Sequence, residues 1–129
     1  YATTVDTTPP RIKIDAPADG GPDGIVLSST MLTDKPGNRP VPEMPLDKIQ
    51  LPTLVAHHKR DGCEHCQYGD ISRLMEKLTN ASRKELLTFE GGKNHGEPCE
   101  AMAYHGFNDI EQEVVKKIAD WIVEKKNTN

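Results

Sequence analysis

An aspartate in the run Lys59-Arg60-Asp61-Gly62-Cys63 and a histidine in the run Tyr104-His105-Gly106-Phe107 are the pair best suited to proton transfer in this sequence. A carboxylate that holds one imidazole nitrogen fixes the tautomer and stabilises the imidazolium. The other nitrogen can then take a proton from a hydroxyl nucleophile. Each residue also has a plainer reading. An Asp-Gly after a strand commonly makes only a turn, and a histidine before Gly-Phe commonly caps or packs. Ser28 and Ser29 end a strand candidate without the glycines that a sharp strand-to-helix turn needs, so both are read as structural.

Sulfur offers a second chemistry. Cys63-x-x-Cys66 has both zinc-knuckle and redox spacing, and His95 and Cys99 could complete a set of Cys63, Cys66, His95 and Cys99. A second Cys-x-x-Cys is lacking, and His95-x-x-x-Cys99 is an unusual second half. A thioredoxin-like role fits less well, because Cys66 sits in a loop before Asp70 rather than at the opening of a long helix. Gly91, Gly92 and Gly96 make no phosphate loop, since no Gly-Lys-Ser/Thr follows. They are expected to let the loop turn.

The elements that must position these residues can be read in order. Residues 1–23 are rich in Thr, Pro, Gly and Asp, and are expected to be irregular with a brief strand over 11–14. Residues 24–29 (GIVLSS) form a short apolar run bounded by turn residues, which predicts a buried strand. Four prolines between 33 and 48 predict an irregular surface connection. Residues 51–58 (LPTLVAHH) have a continuously apolar centre, as in a parallel strand covered on both faces. Ile71, Leu74, Met75 and Leu78 recur at helical spacing, with Asp70 as the expected N-cap and Asn80 as the stop.

Residues 84–89 (KELLTF) predict a third strand, and a Gly-rich loop runs from there to Gly106. A last helix is expected from an Asn108/Glu111 capping box. Its apolar stripe is Ile110, Val114, Ile118 and Ile122, widened by Val115 and Trp121. Strands alternating with helices predict an α/β fold with a parallel sheet. In such a sheet the loops at the carboxyl ends of strands carry the working residues. Asp61 and His105 both lie on loops of that kind.

Composition narrows the classes. A chain of 129 residues is one domain at most, and a net charge of −4 argues against nucleic acid, which calls for clustered Lys and Arg. No apolar run reaches the roughly 20 residues of a membrane-spanning helix. Most core-forming residues follow Ile49, so the core is expected to be marginal alone. The chain opens at Tyr1, which suggests processing or a fragment.

Read together, PTLVAHHKRDGC (52–63), KELLTFEGG (84–92) and GEPCEAMAYHGF (96–107), leading into IEQEVVKKIADWI (110–122), resemble the closing part of serine-dependent α/β-hydrolases. The resemblance covers roughly residues 24–125 and is most specific over 49–122. It implies residues 24–129 as the last strands and helices of that fold, with Asp61 as triad acid and His105 as triad base, in the order Ser, Asp, His. It also implies a Cys63–Cys99 disulfide joining the two loops, with Cys66 left as a free thiol. An oxidising compartment, periplasmic or extracellular, would follow.

One departure stands out. No Gly-x-Ser-x-Gly occurs, so the nucleophile is expected on an upstream segment or partner chain, acting on a small-molecule ester with no cofactor. The alternatives are a small zinc- or redox-binding module on Cys63, Cys66 and Cys99, and a catalytically silent interaction domain.

Overall fold

The computed structural model describes residues 2–4 and 21–127. A four-stranded sheet is built in the order β1 (Ala2–Thr4), β2 (Ile25–Ser28), β3 (Thr53–His58) and β4 (Lys84–Phe89). β2, β3 and β4 are parallel, with Ser28 opposite Ala56 and His58 opposite Phe89. β1 runs antiparallel along the outer side of β2. Residues 2–4, expected to be irregular, therefore supply an edge strand. The brief strand expected over 11–14 lies outside the described residues.

Parallel strands need crossovers that cover both faces of the sheet. α1 (Ile71–Lys77) connects β3 to β4, and α2 (Glu111–Asn127) follows β4. Side chains alternate across the sheet accordingly. Ile25, Leu27 and Val55 pack with Ile71, Leu74 and Leu78 in and just beyond α1. Val26 and Leu54 pack with Trp121 of α2, and Ala56 and Phe89 pack with Phe107 and Val114. This is why 54–56 read as a continuous apolar run: all three residues are fully buried, on one face or the other.

Local expectations held in position more than in chemistry. Asp70 stands at the N-cap position of α1 as expected, but it is αR at the end of a short 3-10 turn (Tyr68–Asp70), and its side chain makes no cap hydrogen bond. α1 stops at Lys77 rather than at Asn80, whose amide donates to the Asp47 carbonyl instead. Asn108 likewise lies upstream of α2, and its amide ties back to the Met102 carbonyl at 2.9 Å. The first α2 bond runs from the Val114 N–H to the Ile110 carbonyl. Val115, expected in the apolar stripe, is 66% exposed. The connection after β2 is irregular as expected, but it buries Leu32, Pro40 and Leu46, the two leucines against the α1 face.

Leu54, near the start of β3, has no exposed surface. Leu54→Ala is expected to cost about 2–5 kcal/mol, the range for a core truncation. The measurement is the shift in urea midpoint at unchanged slope.

Candidate functional site: a carboxylate–imidazole pair at the sheet edge

Three parallel strands end on one edge, and the chain continues from that edge at Ser29, Lys59 and Glu90. After β3 the backbone turns sharply, with the Asp61 N–H donating to the His58 carbonyl at 3.2 Å. The turn folds the Asp61 carboxylate inward, leaving the residue 7% exposed. Its Oδ1 accepts the Cys63 N–H at 2.9 Å. Its Oδ2 lies 2.9 Å from His105 Nδ1 and 3.4 Å from His57 Nε2. The pair that the sequence suggested is therefore in hydrogen-bonding contact.

His105 reaches this position from a 3-10 turn, Tyr104–Gly106, with Phe107 next in the left-handed region at φ 57°. A phenylalanine adopts that conformation only when packing enforces it. Here its ring is buried among Ala56, Phe89 and Val114, edge-on to Phe89 at 5.6 Å. Gly106 is required for a different reason, since a β-carbon there would collide with the backbone of Ala101. From β2, Ser29 Oγ donates to the His105 carbonyl at 2.5 Å. Ser29 itself sits at φ 47°. Thus Ser29 is a clasp on the histidine loop.

Further contacts hold the acid loop against the histidine loop. The Cys63–Cys99 disulfide spans them with a Cα–Cα distance of 4.6 Å. A loop of that length is stabilised by about 3–4 kcal/mol on chain-entropy grounds. His58 stacks on Tyr104 at 4.5 Å between centroids, and Arg60 covers the same ring at 5.4 Å. His58 also accepts the Arg60 N–H at Nδ1, which assigns its proton to Nε2, bonded to the Gly91 carbonyl at 2.8 Å. Gly91, Gly92 and Gly96 all take positive φ, so the loop turns as expected.

The two histidines beside Asp61 titrate in opposite senses. His105 is raised to about 9, first by its hydrogen bond to Asp61 and then by one to the Cys66 thiol. His57 is lowered, chiefly because burial disfavours its charged form. His57 Nε2 donates to the Cys66 carbonyl at 2.5 Å, while its Nδ1 has no partner. It is a neutral histidine whose N–H also faces the Asp61 carboxylate. Sequence reading, which paired Asp61 with His105, did not place it beside them. The available signal was its position four residues before Asp61 on the face opposite His58.

Of the two sulfur readings, the structure carries the Cys63–Cys99 disulfide with Cys66 unpaired in any disulfide, as the resemblance implied. Cys66 is a free, buried cysteine, and the ligand atoms of Cys63, Cys66 and His105 lie within 4.8 Å of one another. His95 is exposed and stands outside that group; its backbone N–H bonds to Met102. The group has His105 where the zinc reading needed His95, and the Cys63 sulfur is bonded to Cys99. The remaining free donors are the Cys66 thiol and the His105 ring, two fewer than a four-coordinate zinc takes. Beside His105, a recess of about 540 Å³ opens between Ser28–Ser29 and Cys99–Ala101.

A scan against protein-family models, a search of curated proteins and a search of solved structures each found no match.

Two outcomes are expected. Gly106→Ala should cost about 1–3 kcal/mol through the clash with Ala101 and separate His105 from Asp61. Thermal melts and loss of the downfield imidazole N–H resonance would register it. The second concerns pH. The His105 contribution to stability is complete below 6.5 and is lost as pH rises through about 9. The His57 contribution is complete above 6.5 and is lost as pH falls. Denaturant midpoints across pH are expected to peak near 6.5. His105→Gln should flatten the alkaline limb, worth up to about 3 kcal/mol, and His57→Gln the acid limb.

Proposed function

We propose that this chain is the acid- and histidine-bearing closing portion of a serine-dependent α/β-hydrolase that transfers an acyl group to water, most simply by hydrolysing an ester. The observation that carries this reading is the 2.9 Å contact between Asp61 Oδ2 and His105 Nδ1 at the carboxyl edge of a parallel sheet. The resemblance of residues 49–122 to that family supports it, as does the disulfide between the two loops.

In this reading Asp61 holds Nδ1 and leaves Nε2 for the serine proton. His105 takes that proton as the serine attacks the acyl carbonyl, and returns it to the leaving alkoxide. The serine and its following N–H, which belongs to the oxyanion site, come from an upstream segment or a partner chain, because no Gly-x-Ser-x-Gly occurs here. The substrate approaches along the recess beside His105. A histidine held at about 9 must lose its proton before it can act as base. Acylation is therefore expected to quicken on the alkaline side until that value is passed.

A fluorophosphonate probe applied to the full-length gene product tests the reading. Labelling of one serine upstream of Tyr1 is expected, falling by about 10⁴-fold in Asp61→Asn, whose amide favours the wrong tautomer. His105→Gln should lose labelling to a similar extent. A full-length product that takes no label, with an upstream sequence that encodes no Gly-x-Ser-x-Gly, would leave a catalytically silent domain instead.

A further inference from the structure

The hydrolase reading has no use for Cys66, yet this thiol lies beside a disulfide and an imidazole in the buried centre of the site. We propose that Cys66 is the attacking thiol of an internal thiol–disulfide exchange, which moves the Cys63 bond from Cys99 to Cys66 and unties the histidine loop from the acid loop.

Three observations carry this. First, the sulfurs of Cys63 and Cys66 and a ring nitrogen of His105 all lie within 4.8 Å of one another. Attacking group, electrophilic sulfur and proton acceptor are thus already assembled. Second, the Cys66 N–H donates to the Cys63 carbonyl at 2.9 Å, closing a four-residue turn. Such a turn keeps its end Cα atoms within about 7 Å, and a disulfide spans roughly 4.4–6.8 Å. Cys63 can therefore bond to Cys66 with its backbone close to where it already stands. Third, the leaving side is unencumbered. Residues 90–102 are exposed, Cys99 among them, whereas Cys66 is 5% exposed.

The exchange balances without an outside reagent. The Cys66 thiol gives its proton to the neutral form of His105 or to water. The thiolate attacks Cys63 Sγ in line with the existing bond. The Cys63–Cys66 bond forms, the Cys63–Cys99 bond breaks, and its electron pair leaves on Cys99 Sγ. That thiolate takes up a proton from His105 or solvent. One disulfide and one thiol are present before and after. What changes is which loops are joined. In the second isomer the tie is confined to residues 63–66, and Cys99 is free to leave with the segment that leads to His105.

This inference does not depend on the hydrolase reading, because it is measured on this chain by linkage alone. The native chain is incubated with a maleimide reagent in mildly alkaline buffer, quenched in acid, and mapped by mass spectrometry without reduction. Maleimide on Cys99 together with a Cys63–Cys66 disulfide is expected, at a rate independent of protein concentration. In Cys66→Ser, Cys99 labelling should fall by at least an order of magnitude. Maleimide on Cys66 with Cys63–Cys99 intact, or no label at all, would overturn the exchange. As a second arm, Cys99→Ser is oxidised mildly and its fold checked by circular dichroism. Formation of Cys63–Cys66 in a folded chain is expected, and a folded chain that leaves both thiols reduced also overturns it.

Discussion

The Asp61 carboxylate is the constraint on which this structure turns. A buried charge is tolerated only when donors surround it, and the cost of leaving one unpaired is several kcal/mol. Two donors meet it here, the Cys63 N–H from its own turn and His105 from the loop after β4, and His57 at the end of β3 stands 3.4 Å away. The carboxylate therefore draws the histidine loop to the sheet edge as much as it orients the imidazole. The disulfide, the Ser29 clasp and the Tyr104 stack hold covalently, by hydrogen bonding and by ring contact what that charge requires.

The neighbouring histidines divide the electrostatic work. His105 carries the positive charge that compensates the carboxylate, and it remains partly open to the recess. His57 stays neutral because it is sealed between the sheet and the Cys63–Cys66 turn, where its one N–H serves the Cys66 carbonyl. Two imidazoles beside one acid thus differ in charge because His105 is hydrogen-bonded to it, whereas His57 is more deeply buried. That difference leaves the charged ring as the one that borders the recess.

The larger elements were legible in the sequence because they follow from periodicity. The β4 limits were read as they stand, β2 and β3 within two residues, and the continuous apolar run 54–56 with the alternation of strands and helices gave the parallel arrangement. Asp61 and His105 were legible because a parallel sheet sends its carboxyl-end loops to one side. The disulfide came from family resemblance, since three cysteines alone leave the pairing open. What stayed hidden was set by three-dimensional competition among polar side chains. Asn80, Asn108 and Asp70 were read as helix caps, but the Asn80 amide bonds to the Asp47 carbonyl, the Asn108 amide to the Met102 carbonyl in its own loop, and Asp70 holds the N-cap position without a cap hydrogen bond. Ser29 was read as structural but not as a partner for a carbonyl 76 residues away. The zinc alternative named His95 where His105 is the histidine beside Cys63 and Cys66, because the two share one loop and spacing does not say which of them turns inward.

The short edge strand β1 has a consequence for assembly. It occupies the outer rim of β2 with a three-residue antiparallel strip. If the proposed hydrolase reading holds, a parallel strand from the nucleophile-bearing segment would need that same rim to continue the sheet. Docking would then be a displacement rather than an addition, with the incoming segment evicting the residue 2–4 strip. So short a ladder yields easily, while in the meantime it shields an otherwise open row of amides and carbonyls from pairing with another molecule.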